Sequence, residues 1–280
     1  MSVDDRFTRA FDTASSDFDR LAVHLWNPIG VATAAAAAPT PGNRVLDACC
    51  GAGASAKPAA RLVGPTGHVD AIDLSTALIG ELARSATDLP QLHTHVADAT
   101  EWPNDGYDVV QAALGIFFFP DMSAGTRHLI TRARPGGRVG FTIWRRGAME
   151  VAGEHLRAAI AEVTGTPTPT RPNHPINDLN HSQAFHAWLL EQGLEQVSVV
   201  EHEHRLSLNP DLAWLIITGS GFVAALAELA PSDIDAVREC YIESLARAGV
   251  TELDATTLIG VGTRPVAAGP DNAPSPPIRR

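Results

Sequence analysis

The chain has 280 residues, of which 45% are hydrophobic and 19% are charged, a composition typical of a globular protein with a sizeable core. Its formal net charge of −11 argues against sequence-independent binding to nucleic acid and against docking on an anionic membrane, since both need a basic surface. The three cysteines form neither a disulfide framework nor a zinc spacing, and the acidic N-terminus does not resemble a signal peptide, so we expect a cytoplasmic protein.

The first segment, residues 2–38, is predicted to be helical. Apolar residues recur there at helical spacing, and an alanine-rich run follows at 32–38. The recurring residues are Phe7, Phe11, Leu21 and Leu25. Such a segment either packs against a sheet or forms a lid over a ligand site, with Trp26 in the inner wall of the lid, and periodicity alone leaves both possibilities open.

The stretch 44–53, RVLDACCGAG, predicts a buried strand that leads through a glycine turn into a helix. Glycine has no Cβ, so a ligand can lie against the bare backbone of such a turn. The carboxyl ends of parallel strands are also where open α/β sheets bind nucleotides. The stretch therefore predicts a nucleotide-type site.

Two cofactors are compatible with this turn. Gly51, Gly53 and Ala56 satisfy the dinucleotide fingerprint, and Asp73 follows Gly53 by twenty residues, as the ribose-binding acid of an NAD enzyme would. Asp47 favours the second cofactor, because a carboxylate beside a pyrophosphate would repel it. S-adenosylmethionine (SAM) carries no phosphate, and a nearby carboxylate would favour its ammonium group directly or through water.

The run Val45-Leu46-Asp47 followed by Gly51-Ala-Gly53 resembles the first motif of the class I SAM-dependent methyltransferases. Over about residues 25–145 the chain is similar to the methyltransferase-11 or ubiquinone/menaquinone-methylase type. The resemblance implies SAM as cofactor and S-adenosylhomocysteine (SAH) as product. It implies these cofactor-binding residues: Asp47, Ala48, Cys49, Gly51, Gly53, Asp73, Leu74, Asp98, Ala99 and Leu114.

Two further acids follow predicted strands. Asp73 ends the strand 68–72, where it would accept hydrogen bonds from both ribose hydroxyls, and Ser75 is expected to cap the next helix. Asp98 follows the strand 92–97. The resemblance implies that Asp98 accepts a hydrogen bond from the adenine amino group and that the backbone N–H of Ala99 donates to a ring nitrogen. Trp102 would then cover the adenine face.

The fourth and fifth strands, 107–112 and 138–144, are expected to border the acceptor. The apolar run 114–119 after the fourth strand suggests an apolar or aromatic small molecule, although part of the run must be core. Candidate substrate-binding residues are Trp26, Ile116 and Trp144.

The remainder of the chain adds helices to a minimal fold. We predict helices at 151–163, 182–191 and 232–248, the last with a capping-box-like Ser232-x-x-Asp235, and strands at 194–204 and 256–262. The apolar segment 212–230 is interrupted by glycines and predicts two packed helices rather than a membrane span. These additions are expected to form an acceptor pocket or a dimer face.

Several histidines are possible functional residues. His93-x-His95 and His202-x-His204 have a spacing that can chelate zinc, but no cysteine or carboxylate cluster completes either site, so we expect no metal. The candidates for a general base are His24, His174 and His181, and no spacing singles one of them out.

We therefore expect an α/β fold, a Rossmann-like doubly wound sheet of seven strands with the last antiparallel, plus a helical lid and insertion. The expected domains are a lid (1–38), a SAM-binding core (39–145), the rest of the sheet with acceptor-pocket insertions (146–264) and a disordered tail (265–280). The predicted function is methyl transfer from SAM to an oxygen, nitrogen or carbon of a small, largely apolar metabolite in bacterial specialised metabolism, by a possible homodimer. The alternatives are an NAD-dependent oxidoreductase and a SAM-binding protein that transfers no methyl group, such as a cyclase-like enzyme.

Overall fold

The computed structural model describes residues 15–166 and 174–266. The strands are β1 (Arg44–Ala48), β2 (His68–Asp73), β3 (Leu92–Val96), β4 (Tyr107–Ala113), β5 (Ala133–Trp144), β6 (Glu195–His202), β7 (Arg205–Ser207), β8 (Glu252–Asp254) and β9 (Thr257–Thr263). The helices are α1 (Ser15–Ala22), α2 (Trp26–Ala37), α3 (Ala56–Val63), α4 (Thr76–Ser85), α5 (Met122–Arg132), α6 (Glu150–Thr164), α7 (Ile176–Leu179), α8 (Ser182–Glu191), α9 (Pro210–Thr218) and α10 (Pro231–Arg247). Two short 3₁₀ turns, Ile116–Phe118 and Gly221–Ala225, complete the elements.

Seven strands form one sheet in the order β3-β2-β1-β4-β5-β9-β6. β1 pairs in parallel with β2 and with β4, so the chain reverses its direction of winding between β1 and β4. β9, the last strand, is antiparallel to both β5 and β6. The predicted doubly wound sheet is confirmed, and its topological switch point lies at the carboxyl ends of β1 and β4, where such sheets bind ligands.

Helix α2 packs against the middle of the sheet through small residues. The hydroxyls of Thr33 on α2 and Thr142 on β5 share a buried hydrogen bond of 2.7 Å. A Cβ atom on Gly140 of β5 would lie 3.2 Å from the Cβ of Ala37. Because Arg138 also donates to the carbonyls at the end of α2, the helix is fixed in register over β5.

The N-terminal helix α1 contacts the insertion that follows β7. A Cβ atom on Gly219, at the end of α9, would lie 2.5 Å from the carbonyl oxygen of Asp17 on α1. Leu21 and Leu25 share a hydrophobic cluster with α9 residues such as Ile216. The helices before β1 and those inserted before β9 therefore pack against each other in one layer.

The structure differs from the sequence prediction in several places, among them the start of β5, which lies at Ala133 and not at residue 138. β7 and β8 form a separate two-stranded sheet that was not predicted. The second half of 212–230 forms a 3₁₀ turn rather than a helix. The expected cap at Ser232 is wrong, because α10 begins at Pro231 with Ala230 as its N-cap; proline at the first helical position sets the start one residue earlier.

Part of the prediction lies outside the described residues, namely the helix before residue 15 and the tail from residue 267 onward. Within the described ranges, none of the helices has the length and apolar character needed to cross a membrane.

Candidate active site

The turn after β1 has a backbone that few side chains accept. Cys49, Gly51 and Gly53 all have positive φ angles, of 56°, 52° and 89°. The N–H of Cys50 donates to the carbonyl of Ile72 on β2, and the N–H of Gly53 closes back on the carbonyl of Cys50. The turn is therefore held by β2 and bends sharply before α3.

Asp47 lies beneath this turn and not in an open cleft. Its side chain is completely buried, and its two oxygens accept the Ser55 hydroxyl at 3.0 and 2.8 Å. Gln111, its neighbour across the ladder on β4, donates to the Ser55 carbonyl. Burial raises the pKa of Asp47 to about 7, although hydrogen bonds from Ser55 and Gln111 act in the opposite direction.

This position argues against one form of the expected role of Asp47, the direct contact, whereas a contact through water stays a prediction. A direct contact between its carboxylate and an ammonium group is not open in this structure, because the Ser55 hydroxyl lies against both oxygens. With a pKa of about 7, its charge also discriminates less strongly against a pyrophosphate than a free carboxylate would. Asp47 acts on the turn from below.

Asp73 joins the end of β2 to the turn. One carboxylate oxygen accepts from the N–H of Gly51 at 2.9 Å, and the other accepts from the N–H of Ser75 at 2.9 Å. The hydroxyl of Ser75 accepts from Leu78, which confirms the predicted cap of α4. The half-buried acid and the glycine turn therefore form one unit at the edge of the sheet.

The two glycines of the turn are needed for different reasons. A Cβ on Gly53 would lie 2.3 Å from a methyl carbon of Leu82, so this glycine allows α4 to pack against the turn. A Cβ on Gly51 would point instead at the ring of Phe18 on α1, 3.3 Å away. Gly51 is itself buried, and this side of the turn lies beneath an aromatic ring of the N-terminal segment.

Asp98 and Ala99 follow the carboxyl end of β3, at the same edge of the sheet as Asp73. Asp98 accepts the backbone N–H and the hydroxyl of Thr100, both at 2.7 Å, which is the turn geometry common for this residue type. Trp102 is buried, and its indole N–H donates to the Tyr107 hydroxyl at 3.0 Å. The expectation that Trp102 covers the adenine face is therefore wrong, because this side chain belongs to a core network.

The ends of β1 and β4 approach closely beside the turn. A Cβ on Gly115 would lie 2.4 Å from the Cβ of Cys49, so the two strand ends touch. Leu114 has a φ of 56°, and its N–H donates to the Thr142 carbonyl on β5. Ile116 is completely buried in the core cluster with Phe141, so the structure gives it a packing role and not the expected position in a pocket wall.

Trp26 and Trp144, the other two predicted wall residues, face each other at the same edge. Their ring centroids are 6.4 Å apart, and the ring of Phe18 stacks on Trp26 at 5.1 Å. Since Phe18 also lies over Gly51, a continuous aromatic surface runs from the turn to the end of β5.

The three candidate bases are not brought together. The side chain of His24 is exposed. His174 and His181 each accept a backbone N–H through Nδ1, from Ile176 and Ala184 respectively, which are local contacts at the starts of α7 and α8. Burial lowers the pKa of His174, against a hydrogen bond to the Phe117 backbone. None of the three is identified as a base by its position.

The neighbouring thiols are poor nucleophiles. Burial raises the pKa of both Cys49 and Cys50, and the nearby charge of Asp73 adds to the effect. No group of three or more metal-ligating side chains occurs among the residues that the structure describes. His95 instead bonds to Asp70, and His93 stacks on His68.

The sequence analysis missed four residues that shape this site, namely Phe18, Gly30, Ser55 and Gln111. A Cβ on Gly30 would lie 2.3 Å from the backbone of Ala54, so α2 rests directly on the turn. A lone glycine in an alanine-rich helix and a glutamine in a buried strand were signals for two of them. The position of Phe18 depends on tertiary packing and has no local signal.

The donor and acceptor groups present fit SAM. The ribose hydroxyls and the adenine amino group are hydrogen-bond donors, and ionised carboxylates act only as acceptors. Half-buried carboxylates stand at the ends of β2 and β3, next to a turn whose backbone at Gly51 is covered by the ring of Phe18. Asp73, Asp98, Ala99 and the turn are the residues that would hold the cofactor.

Comparison with known proteins gives the same assignment. Residues 45–137 match the family model described as "Methyltransferase domain". The chain is 36% identical over 146 residues to aklanonic acid methyltransferase DauC of Streptomyces sp. (strain C5), covering 50% of this chain and 66% of that protein. It is 32% identical over 136 residues to nocamycin O-methyltransferase of Saccharothrix syringae, covering 47% and 49% respectively. The matched region thus spans less than two thirds of the length of these relatives.

Solved structures show the same fold at low sequence identity. A phosphoethanolamine N-methyltransferase 2 of Haemonchus contortus superposes with a TM-score of 0.58 at 17% identity, covering 95% of this chain and 61% of that one. The YcgJ protein of Bacillus subtilis superposes with a TM-score of 0.55 at 12% identity, covering 85% and 99%.

Proposed function

We propose that this chain, which belongs to the class I SAM-dependent methyltransferases, transfers a methyl group from SAM to an oxygen, nitrogen or carbon atom of a small, largely apolar metabolite. The observation that carries the proposal is the unit formed by Asp73 and the Gly51 turn at the switch point of the sheet. The relatives named for aklanonic acid, nocamycin and menaquinone methylation support a small acceptor of this kind.

The acceptor would bind on the aromatic side of the site. Phe18, Trp26 and Trp144 line the space between the glycine turn and the end of β5. Aromatic rings offer a large apolar contact area to a flat or apolar molecule. We infer that α1 and α2 act as the lid, since both Phe18 and Trp26 come from them.

Catalysis would depend mainly on positioning. When bound, SAM supplies an activated methyl group, so the protein's task is to align the acceptor atom and exclude water. The close contact of Gly115 with Cys49 fixes the edge of the sheet against which both molecules lie. An acceptor with a readily lost proton needs no dedicated base, which agrees with the separate positions of the three candidate histidines.

The experiment that tests the proposal is calorimetric titration with SAH on the wild type, Asp73→Asn and Asp88→Asn. Asp88 is exposed, so its variant removes one negative charge without touching the site. We expect Asp73→Asn to weaken binding at least about tenfold, because a charge-assisted contact worth about 1.5–3 kcal/mol is lost. Asp88→Asn should bind like the wild type. A wild type that does not bind SAH would overturn the proposal.

A further inference from the structure

Three neighbouring strands place polar and aromatic side chains in one row beyond Trp144. Thr257 on β9 pairs directly with Trp144 on β5, and it also pairs with His202 on β6. Residues opposite each other in antiparallel strands share a face, with Cβ atoms about 5 Å apart. Trp144 lies beside Trp26 of α2, so the whole row faces the layer formed by the N-terminal helices.

Several buried polar atoms in and beside this row lack a hydrogen-bond partner among the described residues. The Oγ1 atom of Thr257 is completely buried and has no hydrogen-bond partner among the described residues. The same holds for Nε2 of His202 and for the indole N–H of Trp26, both of which are buried atoms. Most buried polar groups in proteins are paired, and leaving one unpaired costs about 1–3 kcal/mol. Thr257 and His202 are direct neighbours in the sheet, and two unpaired atoms side by side are therefore a sign of a ligand.

His204 covers one end of this row. The ring of His204 stacks on that of His202, with centroids 6.2 Å apart, and its Nε2 bonds to the carbonyl oxygen of His24 at 2.7 Å. Burial and the neighbouring His204 lower the pKa of His202. The imidazole is therefore neutral at physiological pH, and it offers hydrogen bonding without a net charge.

The row extends away from the cofactor edge. Leu114 at the end of β4 bonds to Thr142 of β5, two residues before Trp144. β9 is the second strand from β4 in the sheet, and β6 is the third. At about 4.8 Å between neighbouring strands, Thr257 and His202 lie roughly 10 to 14 Å from the edge where the methyl group is transferred.

From this arrangement we propose that the acceptor is an elongated, largely aromatic molecule whose far end carries a carbonyl or hydroxyl oxygen, and that Thr257 and His202 bind this oxygen. Trp26 and Trp144 contact its apolar middle. This inference rests on the proposed function and deepens it, because it names the shape and the second polar group of the acceptor.

The unpaired hydroxyl can be tested by two matched substitutions measured by thermal unfolding. Thr257→Val removes a hydroxyl that lacks a partner among the described residues, whereas Thr142→Val removes one that bonds to Thr33. We expect the Tm of Thr257→Val to equal or exceed that of the wild type, and the Tm of Thr142→Val to fall by at least about 2 °C. A comparable fall for Thr257→Val would overturn the inference, since it would show a hydroxyl already engaged in the fold.

Binding of a matched pair of probes tests the subsite itself. The probes are para,para-dihydroxybiphenyl, whose two oxygens are about two strand spacings apart, ~10 Å, and para-hydroxybiphenyl, which lacks the second oxygen. With SAH at saturation, the dihydroxy probe should bind the wild type at least about tenfold more tightly, a ratio that Thr257→Val and His202→Leu reduce to below about threefold. Thr142→Val should keep the wild-type ratio. Equal binding of the two probes, or binding of neither, would overturn the inference.

The same titrations separate this inference from the proposed function. If the wild type and Thr257→Val both bind SAH but the probes are not distinguished, only the acceptor subsite is wrong. If the wild type does not bind SAH, the methyltransferase proposal itself fails.

Discussion

The edge of the sheet proposed for the cofactor, here the cofactor side, and the edge proposed for the acceptor, here the acceptor side, differ in how their polar groups are paired. At the ends of β1, β2 and β3 the acids are engaged by neighbours of their own chain: Asp47 by Ser55, Asp73 by Gly51 and Ser75, and Asp98 by Thr100. At the start of β9 and the end of β6, Thr257 Oγ1 and His202 Nε2 are buried without a partner among the described residues; on the cofactor side the same is true of Gln111 Oε1.

Under the proposed function, the difference follows from what each side has to bind. A cofactor common to a whole family is held by a turn whose shape is set before binding, so its carboxylates are positioned by backbone N–H groups. An acceptor specific to one enzyme needs groups that become paired only in the complex. The unpaired atoms lower stability in the free protein and add specificity when a ligand meets them.

The largest loss of unfolding free energy is expected from a substitution at the contact between α2 and the glycine turn. Gly30→Ala would place a Cβ 2.3 Å from the backbone of Ala54, which cannot move aside as a side chain can. We expect a loss of about 3 kcal/mol of unfolding free energy and at least about tenfold weaker SAH binding. Denaturant unfolding and calorimetry measure the two effects.

Gly80→Ala is the matched control for that change. Gly80 lies within α4, and a Cβ added there would have no atom of the described residues within 4 Å, apart from its own chain neighbours and helix backbone. Alanine there should stabilise the protein by about 0.5–1 kcal/mol and leave SAH binding unchanged. If Gly30→Ala behaved like Gly80→Ala, the turn would not be held rigid by α2, and the contrast between the two sides would lose its structural basis.

A second prediction concerns the cost of burying Asp47. The folded pKa of about 7 lies above the ordinary value of 3.8, so the unfolded chain ionises first and the folded state loses relative stability as pH rises between these values. The full shift of about three pKa units means that ionised Asp47 destabilises the wild type by about 4 kcal/mol. An asparagine would avoid this cost, but its unmet hydrogen bonds would cost about half as much.

Asp47→Asn should therefore be more stable than the wild type by about 2 kcal/mol at pH 8, equally stable between about pH 5 and 6, and less stable by about 2 kcal/mol below about pH 4. Denaturant unfolding at several pH values measures it, and Asp88→Asn serves as the exposed control. A variant that is less stable than the wild type at pH 8 would show that the charged form of Asp47 is favoured by the fold.

A third prediction tests whether all acids on the cofactor side serve the cofactor. Asp70, in the middle of β2, accepts from the Tyr107 hydroxyl, His95 and His68 at 2.8, 2.7 and 3.0 Å. Burial alone would raise the pKa of Asp70, but these hydrogen bonds and the charge of His68 outweigh it and lower the pKa. Because folding lowers the pKa of Asp70, its ionised form stabilises the folded state at pH values above the pKa of the unfolded chain. This stabilisation is lost as the pH falls through the pKa of the folded state.

Asp70→Asn should accordingly cost about 1–2 kcal/mol of unfolding free energy at pH 7, and the difference from the wild type should shrink below about pH 4. Its SAH affinity should stay within about twofold of wild type, because Asp70 lies three residues before the strand end. A strong loss of SAH binding would mean that the network around Tyr107 supports the site, and that the polar groups of this side form one unit.

The predictable part of the structure is the part with short-range signals. The strand–turn–helix at Asp47 to Gly53, the cap at Ser75 and the alternation of strands and helices through β5 follow from local apolar runs and turn residues. The approach of Phe18 to Gly51 and the β7–β8 pair depend on contacts between segments far apart in sequence. The sequence also did not decide whether Trp102 and Ile116 face a ligand or the core, because a buried residue and a ligand-facing residue have the same local pattern.

The smallest changes in unfolding free energy are expected from removing one helix cap on each side of the sheet. The hydroxyl of Ser75 caps α4 beside Asp73, and the side chain of Asn209 caps α9 by accepting the N–H of Leu212 at 2.8 Å. Each alanine variant should lose about 1 kcal/mol of unfolding free energy. Only Ser75→Ala should also weaken SAH binding, by about threefold, because loss of the cap loosens the start of α4, including the backbone N–H of residue 75 that donates to the Asp73 carboxylate. Equal effects of the two caps on SAH binding would mean that the acceptor side is coupled to the cofactor turn, in which case the lid and not the sheet edge limits cofactor affinity.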